Sequence, residues 1–216
     1  FKRLYQPIHK DKQSRMKRNL ISDKNSPVFV VWNDILIDDY YKYELCMANC
    51  IHIEKRSVTF STRNAVISWI CINQLRRSDL TPAYRRYLIG KRYDAEKDFR
   101  NANSDGTKIH RNPNETNAAF AARRIGTCYN ISPNSISKYA SYAKAIECFN
   151  AINPIYAQKI LHGNYFIPFE HAIKLSNLTV DRIVECFTKL EAGGKGIRFC
   201  DVFKQVSDNY TGYGQK

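Results

Sequence analysis

Apolar and polar positions along the chain change period once, from short strand-like runs to long helical ones. Residues 28–32 (VFVVW) form an unbroken apolar run rich in β-branched and aromatic side chains, which suits a buried strand. Asn33-Asp34 interrupts it as a turn, residues 35–37 resume as a second short strand, and the pair reads as a hairpin. Residues 39–48 (DYYKYELCMA) are helical in pattern, residues 51–60 return to strand character, and Ser61 or Thr62 can cap a helix through Leu75. Strand, strand, helix, strand, helix predicts a small α+β unit. Beyond it only helical spacing appears. Thr81-Pro82, a cap followed by a proline at the first helical position, opens a helix to about Phe99 with Tyr84, Tyr87 and Leu88 on one face and Arg85, Arg86 and Arg92 elsewhere. Residues 100–117, built of Asn, Asp, Gly, Ser and Pro, read as a mobile linker. Asn153-Pro154 starts a helix closed by Gly163, another runs from about Pro168 to Leu175, and Thr179 caps one ending before Gly193-Gly194. Residues 199–206 add a short last helix before a frayed tail from Asp208. The expected class is α+β: a small N-terminal mixed sheet with helices over residues 1–78, a helical domain over 79–192, and a C-terminal tail or short helix over 193–216.

Within the helical part, residues 122–141 (ARRIGTCYNISPNSISKYAS) hold the small, turn and apolar positions of a helix-turn-helix in register. Ile125 supplies an apolar contact, and Gly126 is the small residue where the second helix approaches the first. Asn130 stands at the tight turn, where a positive φ is usually needed and Asn is the commonest substitute for Gly. Ile131 plugs the corner, Ser132 can cap the next helix, and Pro133 suits its first position. Ile136 and Tyr139 turn one apolar stripe inward, which leaves Asn134, Ser135, Ser137, Lys138 and Ser141 outward. In this motif the second helix enters the major groove with its N-terminal residues on base edges. Arg123, Arg124, Lys138 and Lys144 are then expected on phosphates. An ordinary pair of packed helices has the same corner chemistry.

Charge favours the first of these readings. The 216 residues carry 34 Lys and Arg against 20 Asp and Glu, a formal net charge of +14, which points to a polyanionic partner and salt-sensitive binding. Residues 76–124 hold twelve basic and six acidic side chains, so that stretch is a basic surface as well as a connection. Residues 1–26 are basic too, and read either as a solvated helix leading into the first strand or as a DNA-contacting arm. No run approaches the twenty apolar residues that span a bilayer, so no membrane partner is expected. Seven cysteines without a CxxC spacing point to a reducing, cytoplasmic setting. Cys46, Cys50 and His52 lack a second cysteine pair and read as ordinary packing residues rather than zinc ligands, so no metal is expected.

The order of motifs resembles the ParB-like superfamily, in particular its shorter members with a central helix-turn-helix found on phages, plasmids and integrative elements. VVWNDILIDDYYKYELC (residues 30–46) is similar to that family's strand-hairpin-helix segment, INQLRRSDLTPAYR (residues 72–85) to its Glu-Asn-x-Gln-Arg-x-Asp-Leu-Asn/Thr-Pro box, and residues 119–175 to its helix-turn-helix and following helices. The resemblance implies a ParB-type N-terminal domain, a DNA-binding helical domain and, in members that bind nucleotide, a site for CTP and Mg2+ whose phosphates would meet Lys42, Gln74, Arg76 and Arg77. Departures lie at that site. Asp39 stands where the family has Gly, Tyr40 and Tyr41 replace the next two residues, Lys42 replaces Arg, and Asn73 replaces a Glu. An added carboxylate where a triphosphate needs positive charge argues for a degenerate nucleotide box and no cofactor. A nuclease, the superfamily's other activity, needs clustered carboxylates, and Asp34, Asp38 and Asp39 are more simply turn residues.

The function expected from these features is sequence-specific binding of double-stranded DNA by a cytoplasmic, nucleoid- or plasmid-associated bacterial protein of a mobile element, serving partition, replication control or transcription. No catalytic residue is expected. A single helix-turn-helix seldom carries enough specificity, so a homodimer on a palindromic or repeated site is expected, with its contact on the last helices. The alternative is an enzyme, either a CTP-dependent clamp or a ParB-like nuclease. A further option makes the α+β unit a protein-docking module through Tyr40, Tyr41 and Tyr43.

Overall fold

The computed structural model describes residues 1–8, 10–22, 26–98, 111–193 and 197–208. Its only sheet among these residues is built on β1 (Val28–Trp32), whose Phe29, Val30 and Val31 are buried. β2 (Ile35–Leu36) pairs with β1 antiparallel and β3 (Glu54–Ser57) pairs with it parallel, in the order β2-β1-β3. Asn33 and Asp34 make the hairpin turn with φ of 46° and 60°, the two left-handed residues that match the twist of the flanking strands. The third strand is shorter than the apolar pattern of residues 51–60 suggests. Only four residues pair, all exposed, because β3 is an edge lying beside the buried strand rather than over the core.

Among the described residues, ten α-helices supply most of the rest. α1 (Lys10–Ser22) precedes the sheet, α2 (Tyr40–Ala48) and α3 (Arg63–Leu75) flank β3, and α4 (Pro82–Glu96) follows. Local chemistry sets their starts: Asp39, Thr62 and Thr81 each accept a hydrogen bond from a backbone N–H in the first turn, and Pro82 needs no such partner. Then come α5 (Asn117–Tyr129), α6 (Pro133–Ile152), α7 (Pro154–Leu161), α8 (Phe169–Ser176), α9 (Val180–Ala192) and α10 (Phe199–Asp208). The linker expected over residues 100–117 ends sooner, since Thr116 caps α5 and Asn117 is already helical. Residues 99–110, the second glycine of Gly193-Gly194 and the tail after Asp208 lie outside the described residues.

α4 is the hub, packed against α3 on one side and α6 on the other. It approaches α6 so closely that a Cβ at Gly90 would lie 2.1 Å from the Tyr139 carbonyl oxygen, so only glycine fits this crossing. Buried side chains from Leu4 to Val206 form one cluster. The boundary expected at residues 78/79 falls in the turn between α3 and α4, and buried side chains on both sides of it belong to that cluster. The class is α+β, a small mixed sheet followed by helices.

Candidate nucleic-acid interface

The corner between α5 and α6 is built from the residues the sequence nominates. Asn130 is left-handed (φ 55°, ψ 50°), and the Ile131 N–H donates to the Gly126 carbonyl at 2.8 Å. A Cβ on buried Gly126 would meet the Ile131 oxygen at 2.4 Å, which is why this position is small. Ser132 caps α6 by accepting from the Ser135 N–H, and Pro133 opens the helix. Ile125 and Ile136 are fully buried on facing sides, while Tyr139 packs edge-on to Phe169 of α8 at 5.8 Å.

What this leaves outside is a row of short polar and basic side chains. Asn134, Ser137, Lys138, Ser141 and Lys144 are all exposed. Ser135 is half-buried, with its hydroxyl 2.9 Å from that of Ser132. α6 runs twenty residues to Ile152, so this row sits toward the N-terminal end of a long, firmly packed helix. A groove of about 460 Å³ lies at its start, lined by Arg123, Thr127, Asn130, Ser132 and Pro133 among others. Arg123 forks onto Glu115 at 2.9 and 2.7 Å and lies over the Phe120 ring. That fork holds the Glu115 carboxyl below its ordinary range. Lys138 reaches Glu170 at 3.2 Å, with both partners more than half exposed, so this pair is weak and readily exchanged.

Arg124 corrects the expectation. It is 5 % exposed and donates to the Glu96 carboxylate, facing the core and not phosphate. Arg92, expected on the outside of α4, is wholly buried; its Nε donates to Glu96 at 2.9 Å and its Nη1 to the Tyr129 hydroxyl at 2.7 Å. Ser68 of α3 donates to the same carboxylate. Two arginines, a glutamate, a serine and a tyrosine thus tie α3, α4 and α5 together beneath the corner. Sequence reasoning missed Glu96, though its spacing of four from Arg92 is the signal that could have found it. Gly90 was missed as well, because a lone glycine inside a helix does not announce what passes over it.

Of the second group of expected phosphate contacts, Arg77 and Gln74 are engaged within the fold. Arg77 forks onto Asp79 at 2.9 and 3.1 Å and also donates to the Gln6 carbonyl and the Gln74 side chain. These hydrogen bonds, with Lys12 on the far oxygen, hold the Asp79 carboxyl well below the usual carboxylate range. Gln6 in turn donates to the Asp79 carbonyl and accepts from the Thr81 N–H, so the box fastens the N-terminal segment to the α3–α4 turn. Arg76 is exposed, and Lys42 is half-buried over the Phe29 ring. Asp38 accepts from the Val30 and Asp39 N–H groups, and Asp39 caps α2, so both are turn residues. Tyr40 and Tyr43 pack on Tyr5 and Phe29. Cys46 is buried while Cys50 and His52 are exposed. Among the described residues no three or more His, Cys, Asp or Glu side chains gather as a metal would require, and no helix is long and apolar enough to cross a membrane. No protein-family model and no curated protein matches the chain.

Proposed function

We propose that the protein binds double-stranded DNA sequence-specifically, laying the first half of α6 in the major groove. One observation carries this reading: the outward row from Asn134 to Lys144 is uncovered and follows directly on a left-handed Asn130 corner. The short side chains Asn134 and Ser137 would read base edges, and Lys138, Ser141 and Lys144 would meet the backbone. Arg123 reaches phosphate by giving up Glu115, whereas Arg124 stays in the core. The +14 charge supplies the sequence-independent attraction. We further propose a ParB-like mobile-element protein serving partition, replication or transcription, acting as a homodimer on a palindromic or repeated site. Selection from random duplexes by the purified chain tests both parts: a recovered consensus with two-fold or repeated symmetry supports them, and recovery without any consensus refutes specific readout.

The CTP-clamp and nuclease readings draw less support. Asp39 is committed to capping α2 and Arg77 to Asp79 and Gln6, which leaves few cations at the box for a triphosphate. Micromolar CTP binding in a titration would reverse this ranking.

A further inference from the structure

We propose that α1 carries a second duplex-DNA contact, made to the phosphate backbone and separate from the α6 row; this rests on the DNA-binding reading. Residues 10–22 hold five Lys or Arg and one Asp, a net charge of +4 on a single helix. Gln13, Met16 and Leu20 turn inward at helical spacing, while Arg15, Lys17 and Arg18 are exposed and make no ion pair among the described residues. Lys12 lies 3.0 Å from Asp79, which sets α1 beside the turn between α3 and α4. Between α1 and α2 a cleft of about 510 Å³ is rimmed by Lys12, Arg15 and Lys42 over a floor of Met16 and Leu20.

Cations spaced this way suit a run of phosphodiesters, because they supply charge with no arrangement for reading a base edge. An anionic membrane would also attract them. Lipid binding by such a helix needs an apolar face turned outward, however, and here only Ile21 is an exposed large apolar side chain. The two elements are linked through α4. α1 is pinned beside the start of α4, and ten residues further along α4 Arg92 bonds Tyr129 at the α5–α6 corner. That interval is about 15 Å of helix, less than one turn of DNA.

The test compares the full chain with an Arg15→Gln, Lys17→Gln, Arg18→Gln variant on a 30-base-pair random-sequence duplex across a salt series. A loss of about 2 to 3 in the log–log salt slope and at least a tenfold weaker affinity near 0.1 M salt are expected, at about 0.9 per phosphate contact. Glutamine keeps helix propensity, and an unaltered melting temperature shows that the variant folds. Equal slopes for wild type and the triple variant would overturn the α1 contact and leave the α6 reading standing. Failure of the wild-type chain to bind any duplex would overturn both. Loss of binding only to phosphatidylserine vesicles, with DNA binding unchanged, would assign α1 to lipid instead.

Discussion

Two neighbouring arginines on α5 do different work. Arg123 lies at the surface in a fork with Glu115, and Arg124 sits beneath the corner against Glu96. Arg124→Ala removes one partner of a buried charge set and leaves a carboxylate oxygen without its donor, so a loss of about 3 kcal/mol in stability is expected by denaturant titration. The fraction that remains folded should keep its salt dependence on DNA. Lys138→Ala should behave in the opposite way, with stability within about 0.5 kcal/mol of wild type and a flatter salt slope on every sequence. A destabilised Lys138→Ala protein would contradict this division. Sequence spacing placed both arginines on the correct helix, yet it could not say which one points inward, because the buried counter-charge comes from a helix almost thirty residues away.

Acidic pH probes a further residue pair. Asp79 is held below its ordinary range by hydrogen bonds from Arg77 and Lys12. For Glu147 burial acts upward, and the Tyr87 hydroxyl together with Lys91 and Arg3 more than offsets it. A carboxyl depressed in the folded state adds stability that is complete above its unfolded pKa, near 4, and is lost as pH falls toward the folded value. Denaturant midpoints should therefore drop between about pH 5 and pH 3, and Asp79→Asn should make that drop shallower. An unchanged drop in the variant would remove Asp79 from the account.

At the scale of elements, the hairpin, the caps and the tight corner between α5 and α6 were legible because each depends on chemistry within a few residues: Asn33-Asp34, Thr62, Thr81-Pro82, Asn130 and Ser132-Pro133 all act locally. The short extent of the third strand and the crossing of α4 with α6 were not, because both are decided by partners far along the chain. Glu54–Ser57 pairs only because β1 offers an edge. Gly90 is required only because Tyr139 passes over it. Gly126→Val should push α5 and α6 apart, and Gly90→Ala should force α4 from α6; each is expected to cost at least 1 to 3 kcal/mol. Circular dichroism melts would register both as lower midpoints, and a Gly90→Ala protein as stable as wild type would mean that the two helices have room to separate.

For the molecule as a whole, buried side chains from both sides of the expected 78/79 boundary belong to one cluster, in which α4 packs against both α3 and α6. The α5–α6 corner is fastened to α3 and α4 through Arg92, Glu96 and Ser68, which would hold it rigid in the docking proposed above. Binding at α6 and the integrity of the sheet unit are expected to be linked, so substitutions at the Glu96 cluster should weaken DNA binding through stability alone. The most direct measurement is the affinity of wild type and of an Asn134→Ala, Ser137→Ala protein for a duplex recovered by selection and for a scrambled duplex at fixed salt. A loss of about 1 to 3 kcal/mol on the selected duplex with little change on the scrambled one is the result this account predicts. Equal losses on both duplexes, or no loss on either, would contradict it.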